Sequence, residues 1–584
     1  MTFPRASHRP LVALLSLPLF AAACGDGGTS STGTGSGNAG PGAGGNGGDV
    51  GSQGGGGAAG SGGAGGEGGT EAGSGGSTTT ATSAGSSTST GGGLCAQGEM
   101  MMCYSGPAGT AGKGICKMGA KTCAPDGLSF GPCQGEVVPL AEDCLSSADE
   151  DCDGVAAKCT GNQLWAKRFG DVAAQTIAGV ATYNGGAVVT GSFAGTVNFG
   201  SGALVSAGAT DVFVASYNAQ GLPLWSKRFG DAVAQTASRV AVDAQGNVAI
   251  LGDFAGKVDF GGGVLTSAGA TDVFLVKLDS NGAFLWAKSF GNNLAQNGFD
   301  VAFAPNGDVV FTGTFLGAIN LGGGALTSAG AADLFVARLD PAGTFLWGKR
   351  FGDAVGQAGK GIAVDGQGNV ILVGDIAGTV DFGGGALISA GGTDVGVIKL
   401  DPAGTHIYSK LFGNTAAQTV SRVAVDSVGN LLLTGSAAGK VDFGGGLLSS
   451  VGGTDIFVAK LTAGGVHLWS KLYGAAGNQD GRDIAVDPGG AVLVAGDFTT
   501  TADFGGGVLT SAGVTDGFLV KLDPFGAHVW SKRLGDVVAQ SVAGVAADKT
   551  GVFAAGTFAG VINFGGGALT SAGATDVVVA KLSP

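Results

Sequence analysis

The amino-acid sequence predicts an all-β fold built from seven copies of one unit of about 61 residues. An aromatic residue recurs at this spacing inside the pattern LWxKxFG, at Trp165, Trp225, Trp286, Trp347, Tyr408, Trp469 and Trp530. Each unit contains four short apolar runs separated by turns rich in Gly, Asn and Asp, which favours strands over helices. Repetition at a fixed period therefore sets the fold of residues 161–584.

The predicted strands of one representative unit are Val240–Asp243, Asn247–Phe254, Asp272–Asp279 and Phe284–Phe290. The third strand is apolar on both faces, which suits a sheet stacked between two neighbouring sheets. Seven such sheets arranged radially form a seven-bladed β-propeller with four-stranded blades.

The two ends of the repeat array predict a closed ring. Leu164–Phe169 carries the pattern of a fourth strand but no third strand precedes it, whereas Asp576–Leu582 is a third strand with nothing after it. We therefore expect the N-terminal strand to complete the last blade. The motifs LWxKxFG, VAVDxxGNV, GxVDFGGG and TDxFVxKLD resemble those of the bacterial seven-bladed β-propeller repeat family. The resemblance implies the fold of residues 161–584 but no function, because propellers host unrelated activities.

Two polar side chains recur in all seven units. The glutamines are Gln175, Gln235, Gln296, Gln357, Gln418, Gln479 and Gln540. The aspartates are Asp211, Asp272, Asp333, Asp394, Asp455, Asp516 and Asp576. One copy per blade at equivalent loop positions indicates side chains that satisfy local backbone groups, rather than a catalytic or metal-binding ring.

Residues 1–23 have the order of a secretory signal, with Arg5 and Arg9 before an apolar stretch that is too short to span a bilayer. The stretch ends in three alanines and Cys24, and it resembles a bacterial lipoprotein signal. This resemblance implies export and lipidation of Cys24, which would anchor the chain stably to a bacterial membrane. The outer membrane and cell surface are favoured over the periplasm. The alternative is an ordinary signal peptide that contains a cysteine.

Residues 24–93 are almost wholly Gly, Ser, Thr and Ala after the cysteine, and this composition predicts a disordered tether. Residues 94–160 form a cysteine-rich module. Its cysteines are Cys95, Cys103, Cys116, Cys123, Cys133, Cys144, Cys152 and Cys159. An even set in an exported segment predicts four disulfides, whose connectivity the sequence leaves open.

Asp149, Asp151 and Asp153 alternate near the end of this module, and Gly154 closes the loop. The segment resembles the cysteine-rich, metal-binding type of segment in exported myxobacterial proteins, although Leu145 and Ser146 replace the Asp-Gly that the pattern expects. Carboxylate oxygens are suitable ligands for Ca²⁺. A calcium site and a solvated acidic loop both remain open as interpretations.

The units differ most in the residues just before the predicted first strand. In a propeller these residues surround one mouth of the central channel. We therefore predict a ligand-binding ring there, formed by Arg239, Asp300, Lys360, Arg422, Arg482 and Asp483. The alternative is a solvated rim whose charges have drifted.

The formal net charge of −14 argues against nucleic acid as a partner. Residues 161–584 contain neither a GxSxG nor an HExxH motif. We expect a monomeric, non-catalytic binding or scaffold protein that needs no cofactor and takes a surface protein or polysaccharide at the channel mouth. The alternative is a glycan-active lyase or hydrolase, which would require an acid, a base and an aromatic residue clustered there.

Overall fold

The computed structural model describes residues 95–140, 148–154 and 159–584. The predicted signal, the lipidation residue Cys24 and the tether lie outside these described residues, and so does Cys144. Within the described ranges, no helix has the length and apolar character needed to cross a membrane.

The cysteine-rich module contains a short antiparallel pair of strands, Met100–Cys103 and Gly119–Thr122. Three disulfides join Cys95 to Cys123, Cys103 to Cys133 and Cys116 to Cys152. Cys159 is also disulfide-bonded. The predicted disulfide framework is confirmed for these cysteines.

Residues 163–582 form seven four-stranded antiparallel sheets, the blades I to VII of a β-propeller. The first strands are Gln175–Tyr183, Gln235–Val242, Gln296–Phe303, Ala358–Val364, Gln418–Val425, Gln479–Val486 and Gln540–Asp548. The second strands are Gly186–Phe193, Val248–Phe254, Val309–Phe315, Val370–Ile376, Leu431–Val441, Val492–Phe498 and Gly551–Phe558. The third strands are Asp211–Tyr217, Asp272–Leu278, Asp333–Leu339, Asp394–Leu400, Leu448–Leu461, Asp516–Leu522 and Asp576–Leu582. The fourth strands are Pro223–Phe229, Phe284–Phe290, Phe345–Phe351, His406–Phe412, His467–Tyr473, His528–Leu534 and Gln163–Phe169.

The last of these fourth strands confirms the predicted ring closure. Gln163–Phe169 pairs antiparallel with Asp576–Leu582, so blade VII takes three strands from the end of the chain and one from the start of the array. Phe169 is buried in the core between blades VII and I. The N-terminal strand therefore removes a sheet edge and seals the junction between the terminal blades.

The predicted boundaries of the first strand were wrong. This strand begins at Gln235 rather than Val240, because residues 235–237 also pair with the second strand, on the far side of a β-bulge. Consequently the variable residues lie inside the first strand and not ahead of it. The predicted strand ends at Asp243 and Asp279 instead lie in turns, where each carboxylate accepts a backbone N–H four residues on.

The long connection from second to third strand contains an additional hairpin, which the sequence did not predict. Six blades form it from separate short strands, and blade V forms it from extensions of Leu431–Val441 and Leu448–Leu461. The other pairs are Thr196–Asn198 with Ala203–Val205, Lys257–Asp259 with Val264–Thr266, Ala318–Asn320 with Ala325–Thr327, Thr379–Asp381 with Ala386–Ile388, Thr501–Asp503 with Val508–Thr510, and Val561–Ile562 with Leu569–Thr570. Phe260 after one such strand lies 5.0 Å from the Phe229 ring of the preceding blade and 5.0 Å from Phe274. The hairpin thus fills the wedge between diverging blades.

The recurring Gln and Asp side chains bond to local backbone, as predicted. Gln235 accepts the N–H of Asp231 at 3.0 Å and donates to the carbonyl of Ala255 at 3.2 Å. Asp211 accepts the N–H of Ala207 at 2.8 Å and pairs with Arg228. These residues hold the turns at the blade ends.

A second recurring contact between blades uses a lysine or arginine at one position of the third strand, which every blade has except blade I, where Ser216 stands there. Lys399 on the third strand pairs with Asp365 at 2.9 Å and donates to the carbonyl of Ala463 in the next blade at 3.1 Å. The Lys460–Asp426 pair repeats this arrangement at 3.0 Å. These ion pairs are buried, and their charges are satisfied within the junction.

Candidate functional site at the central channel

Every first strand contains a β-bulge at the same place, and the first strands of neighbouring blades pack against each other around the axis. The bulged residues are Ala178, Ser238, Phe299, Lys360, Ser421, Arg482 and Ala543. The residues that follow them are Gly179, Arg239, Asp300, Gly361, Arg422, Asp483 and Gly544. Bulges re-aim side chains, and here they bring two successive variable positions of each blade to the channel.

Four of the predicted ligand residues meet across the channel. Arg239 of blade II donates to Asp483 of blade VI at 2.7 and 3.0 Å and lies 3.4 Å from Asp300 of blade III. Arg422 of blade V lies 3.8 Å from Asp300 and 3.9 Å from Asp483. We call these four residues the axial cluster. Two arginines and two aspartates from four blades make it electrically balanced.

The glycines at the equivalent positions explain how the axial cluster fits. Asp300 accepts the N–H of Ile362 at 2.8 Å, beside Gly361 of blade IV. Asp483 accepts the N–H of Val545 at 2.9 Å, beside Gly544 of blade VII. Each carboxylate thus takes a backbone donor from the neighbouring blade, and a Cβ on Gly179 of blade I would lie 3.3 Å from the Cδ of Arg239, so it is this glycine that leaves room for the cluster.

The electrostatics of the two arginines differ. Burial opposes the charge of Arg239, but the carboxylates of Asp483 and Asp300 outweigh it and raise the pKa of that guanidinium. For Arg422, burial and the repulsion of Arg239 together outweigh the aspartates and lower the pKa. Arg422 is held mainly by backbone, since it donates to the carbonyl of Lys360 at 2.6 Å.

The other two predicted residues, Lys360 and Arg482, occupy the bulge itself and pair within their own blades. Lys360 lies 3.5 Å from Asp375 and 5.1 Å from the ring centre of Phe299 in the neighbouring blade. Arg482 pairs with Asp497. The side chains of Lys360 and Arg482 are 33% and 47% exposed, so both are accessible from solvent, unlike the axial cluster. The bulged residues and the second-strand residues that face them form a solvent-accessible layer of the channel. We call this layer the channel mouth.

Besides Asp375 and Asp497, the channel mouth contains a third aspartate, Asp253. None of the three was predicted from the sequence. Asp253, Asp375 and Asp497 occupy equivalent positions on the second strands of alternate blades. The signal in the sequence is a Gly-Asp pair in every second unit. The remaining blades carry Ser192, Thr314, Ser436 and Thr557 at this position.

Asp253 differs from the other two because its blade has Ser238 in the bulge instead of a cation. Its carboxylate accepts the N–H of Gly298 in blade III at 2.7 Å. Burial raises the pKa of Asp253 to about 7, although this hydrogen bond opposes the shift. Asp253 is therefore a half-buried carboxyl group that titrates near neutrality at the channel mouth.

The turns that lead into the first strands present exposed apolar side chains on the same side of the ring as the channel mouth. Val172, Val233, Leu294, Val355 and Val537 are each at least 41% exposed. They belong to five consecutive blade junctions, and we call them the apolar arc. Blade II, which contains Asp253, lies between the turns of Val233 and Leu294.

The acidic loop of the cysteine-rich module brings its three predicted ligands together. Asp149, Asp151 and Asp153 each place a carboxylate oxygen within 4.8 Å of the others. Asp149 is buried and accepts the N–H groups of Asp153 and Gly154 at 3.1 and 2.8 Å. Ca²⁺ takes six to eight oxygen ligands, so these carboxylates could supply part of its shell.

Comparisons with known proteins find only distant similarity. No family model matches the chain. An uncharacterized WD repeat-containing protein of Acanthamoeba polyphaga mimivirus is 22% identical, over 46% of this chain and 25% of that protein. The chain thus spans a quarter of the length of this relative.

Several solved structures are similar to the chain at low identity. The WD40 repeats of RRP9 align with a TM-score of 0.37 at 8% identity, covering 71% of this chain and 97% of theirs. The propeller domain of the Trilobed protease from Pyrococcus furiosus gives 0.36 at 9% identity, covering 70% and 93%. Sqt1 from Chaetomium thermophilum gives 0.33 at 10% identity, covering 73% and 99%.

Proposed function

We propose that this protein is a non-catalytic binding protein of the bacterial cell surface. In this proposal a lipid on Cys24 anchors the chain, residues 24–93 are the tether, and the propeller presents its channel mouth to a macromolecular ligand. A protein is favoured over a glycan as this ligand, because the mouth is flanked by the apolar arc.

The apolar arc is the observation that carries the proposal. Val172 and Val537 are 79% and 71% exposed, although the blades bury most of their other apolar side chains. Exposed apolar side chains that are rimmed by polar residues are typical of protein interaction sites, and here they recur at five consecutive junctions. The adjoining channel mouth adds Lys360, Arg482 and Asp253, which are polar groups able to orient a partner.

The enzymatic alternative has a weaker basis in the geometry. Lys360, Asp375 and Phe299 do lie together, as an acid, a base and an aromatic residue would in a glycan-active site. However, the carboxylate of Asp375 and the ring face of Phe299 already contact the ammonium of Lys360, so these three groups are paired with one another.

The proposal is tested by affinity capture from a cell-surface extract with the exported chain, residues 25–584. The variant Val233→Asp/Leu294→Asp introduces charge into the apolar arc. Leu285→Asp/Leu346→Asp makes the same change on the outer wall, where the exposed fractions, 46% and 48%, are close to those of Val233 and Leu294. We expect the arc variant to lose its ligand at least tenfold and the wall variant to retain it.

Two outcomes would overturn the proposal. Equal capture by the arc and wall variants would remove the apolar arc from binding. Shortened products from surface polysaccharide incubated with the wild-type chain, absent with Lys360→Met, would establish the lyase or hydrolase alternative.

Anchoring is tested separately by Cys24→Ser. We expect this variant to leave the membrane fraction and the wild type to incorporate an acyl label. Unchanged fractionation without label would exclude lipidation.

A further inference from the structure

The channel mouth repeats one ion-pair geometry in two blades and breaks it in a third. In blade IV the bulged Lys360 pairs with Asp375, and in blade VI the bulged Arg482 pairs with Asp497. Both aspartates lie on the second strand directly opposite the residue two positions before the bulge. A cation therefore has a defined place beside a carboxylate at this level of the channel.

Blade II contains the same carboxylate without the cation. Asp253 lies opposite Thr236, again two positions before the bulge, but the bulged residue is Ser238. Serine carries no charge, so the bulge of blade II supplies no cation to this carboxylate. Within residues 159–584 Asp253 has no ion pair within 4 Å, whereas the six predicted ring residues all have one.

The place of the cation is open to solvent. Lys360 and Arg482 occupy it in the other two blades with side chains that are 33% and 47% exposed. Asp253 and Ser238 are themselves half-buried rather than sealed. Val233 and Leu294 of the apolar arc flank blade II, so a partner seated on the arc is positioned above this carboxylate.

We propose that Asp253 anchors a subsite for an ammonium or guanidinium group, supplied by a lysine or arginine side chain of a protein partner docked on the apolar arc. This subsite rests on the proposed function, because it requires the channel mouth to be a binding surface. Lys360 and Arg482 show the two cation types that the same geometry accommodates. A glycan without amino groups would leave it unused.

The protonation state of Asp253 agrees with this role. Its pKa is raised to about 7 by burial, with no cation to offset the cost of the charge. A ligand cation at the position of Lys360 favours the ionised carboxylate. Binding near neutral pH is therefore accompanied by release of a proton from Asp253 to solvent.

The test uses n-butylammonium and n-butylguanidinium as probes, with n-butanol as the uncharged control. Carboxyl carbon chemical shifts report the titration of Asp253 in the exported chain. We expect both cations to lower the pKa of Asp253, with dissociation constants of about 1–10 mM for ligands of this size. The alcohol should have no effect.

Two variants fix the site of action. Ser238→Lys places a cation where Lys360 and Arg482 have theirs, so it should lower the pKa of Asp253 and reduce probe affinity at least tenfold. Ser280→Lys is the matched control, because it makes the same change in the same blade on an exposed turn between the third and fourth strands, at the end opposite the channel mouth. It should leave probe binding unchanged. Asp253→Asn, which is nearly isosteric, should abolish binding even if Ser238→Lys fails to fold.

The outcomes separate the subsite from the proposed function. If neither cation shifts the Asp253 titration, or if Asp253→Asn binds them as tightly as wild type does, the subsite is wrong. If the subsite is wrong while the arc variant still loses its captured ligand, the proposed function stands. If the probes bind as expected but the arc and wall variants capture equally, the subsite stands and the arc does not.

Discussion

The blade junctions and the central channel of this propeller follow opposite rules. At the junctions the same groups recur around the ring, such as the Lys399–Asp365 and Lys460–Asp426 pairs, and each joins a blade to its successor. In the channel the pair of bulge residues changes from each blade to the next, except between blades VII and I, which both carry Ala-Gly. Recurrence therefore marks the residues that build the ring, and divergence marks those that distinguish one blade from another.

The divergent residues themselves divide into two layers. The axial cluster links blades II, III, V and VI through charges that satisfy each other, so it stabilises one arrangement of otherwise similar blades. The channel mouth above it is more exposed and carries the lone Asp253. The divergent residues thus distinguish the blades in the axial cluster. In our proposal they recognise a partner in the channel mouth.

The largest effect is expected from opening the ring. Deleting residues 161–170 removes the fourth strand of blade VII, exposes the edge of Asp576–Leu582 and strips Phe169 from the terminal junction. We expect residues 171–584 to melt at a markedly lower temperature than residues 161–584 and to aggregate. Thermal unfolding of both chains is the measurement. Equal melting of two monomeric chains would be inconsistent with closure by this strand.

A smaller loss is expected from breaking the axial cluster. Asp483→Ala leaves Arg239 with one carboxylate fewer and the N–H of Val545 without its acceptor. Removing one partner of a buried ion pair costs roughly 3–5 kcal/mol. Denaturant unfolding should show this loss, while Asp480→Ala, three positions earlier on the same strand and outside the cluster, should change stability by less than about 1 kcal/mol. A similar cost for both would show that the cluster contributes nothing specific.

The junction pairs should behave alike in different blades, because they are copies. We expect Lys399→Met and Lys460→Met each to destabilise the ring by roughly 2–4 kcal/mol, since each leaves a buried aspartate without its cation. The two free energies of unfolding should agree within about 0.5 kcal/mol. A large difference between them would contradict equivalence of the junctions.

The pH dependence of stability should reveal Asp253. Its pKa is about 7 in the fold and near 3.8 in the unfolded chain, so the folded state holds the proton more tightly. The resulting stabilisation is complete below about pH 4 and is lost as pH rises to about 7. Asp253→Asn removes this dependence, so its stability relative to wild type should rise by roughly 4 kcal/mol from pH 4 to pH 8. A constant difference across this range would exclude the raised pKa.

The smallest effect concerns calcium in the cysteine-rich module. If Asp149, Asp151 and Asp153 bind Ca²⁺, calorimetry on the exported chain should give a dissociation constant of about 10⁻⁴–10⁻³ M, as in extracellular modules. Asp151→Asn should weaken it, whereas Asp126→Asn, on an exposed turn of the same module, should not. No heat at several times that concentration would leave the solvated-loop interpretation.

The blades could be predicted from the sequence because the same pattern repeats in seven units. Period, strand number and closure all follow from comparing copies, and the local roles of Gln235 and Asp211 follow from their recurrence. The bulge was not predicted because no residue type is common to the bulged positions. Ser238, Phe299 and Lys360 share only their place in the strand. The three-residue hairpin strands were too short to show an alternating pattern.

The channel could not be predicted for a different reason. Arg239 and Asp483 are distant in sequence and lie on non-adjacent blades, so only the curvature of the closed ring brings them together. The sequence identified which positions vary but placed them ahead of the first strand, and it gave no information about which charges meet. Asp253 was not predicted because an aspartate occupies this position in every second unit and not in every one.

Site-specific photocrosslinking tests most directly whether the divergent residues form the recognition surface. A benzophenone side chain is introduced at Phe299 or Ser421 in the channel mouth, or at Leu285 or Leu346 on the outer wall, and each chain is irradiated in the cell-surface extract. We expect a common adduct from both mouth positions and none from the wall positions. An adduct from the wall positions, with none from the mouth, would contradict this expectation.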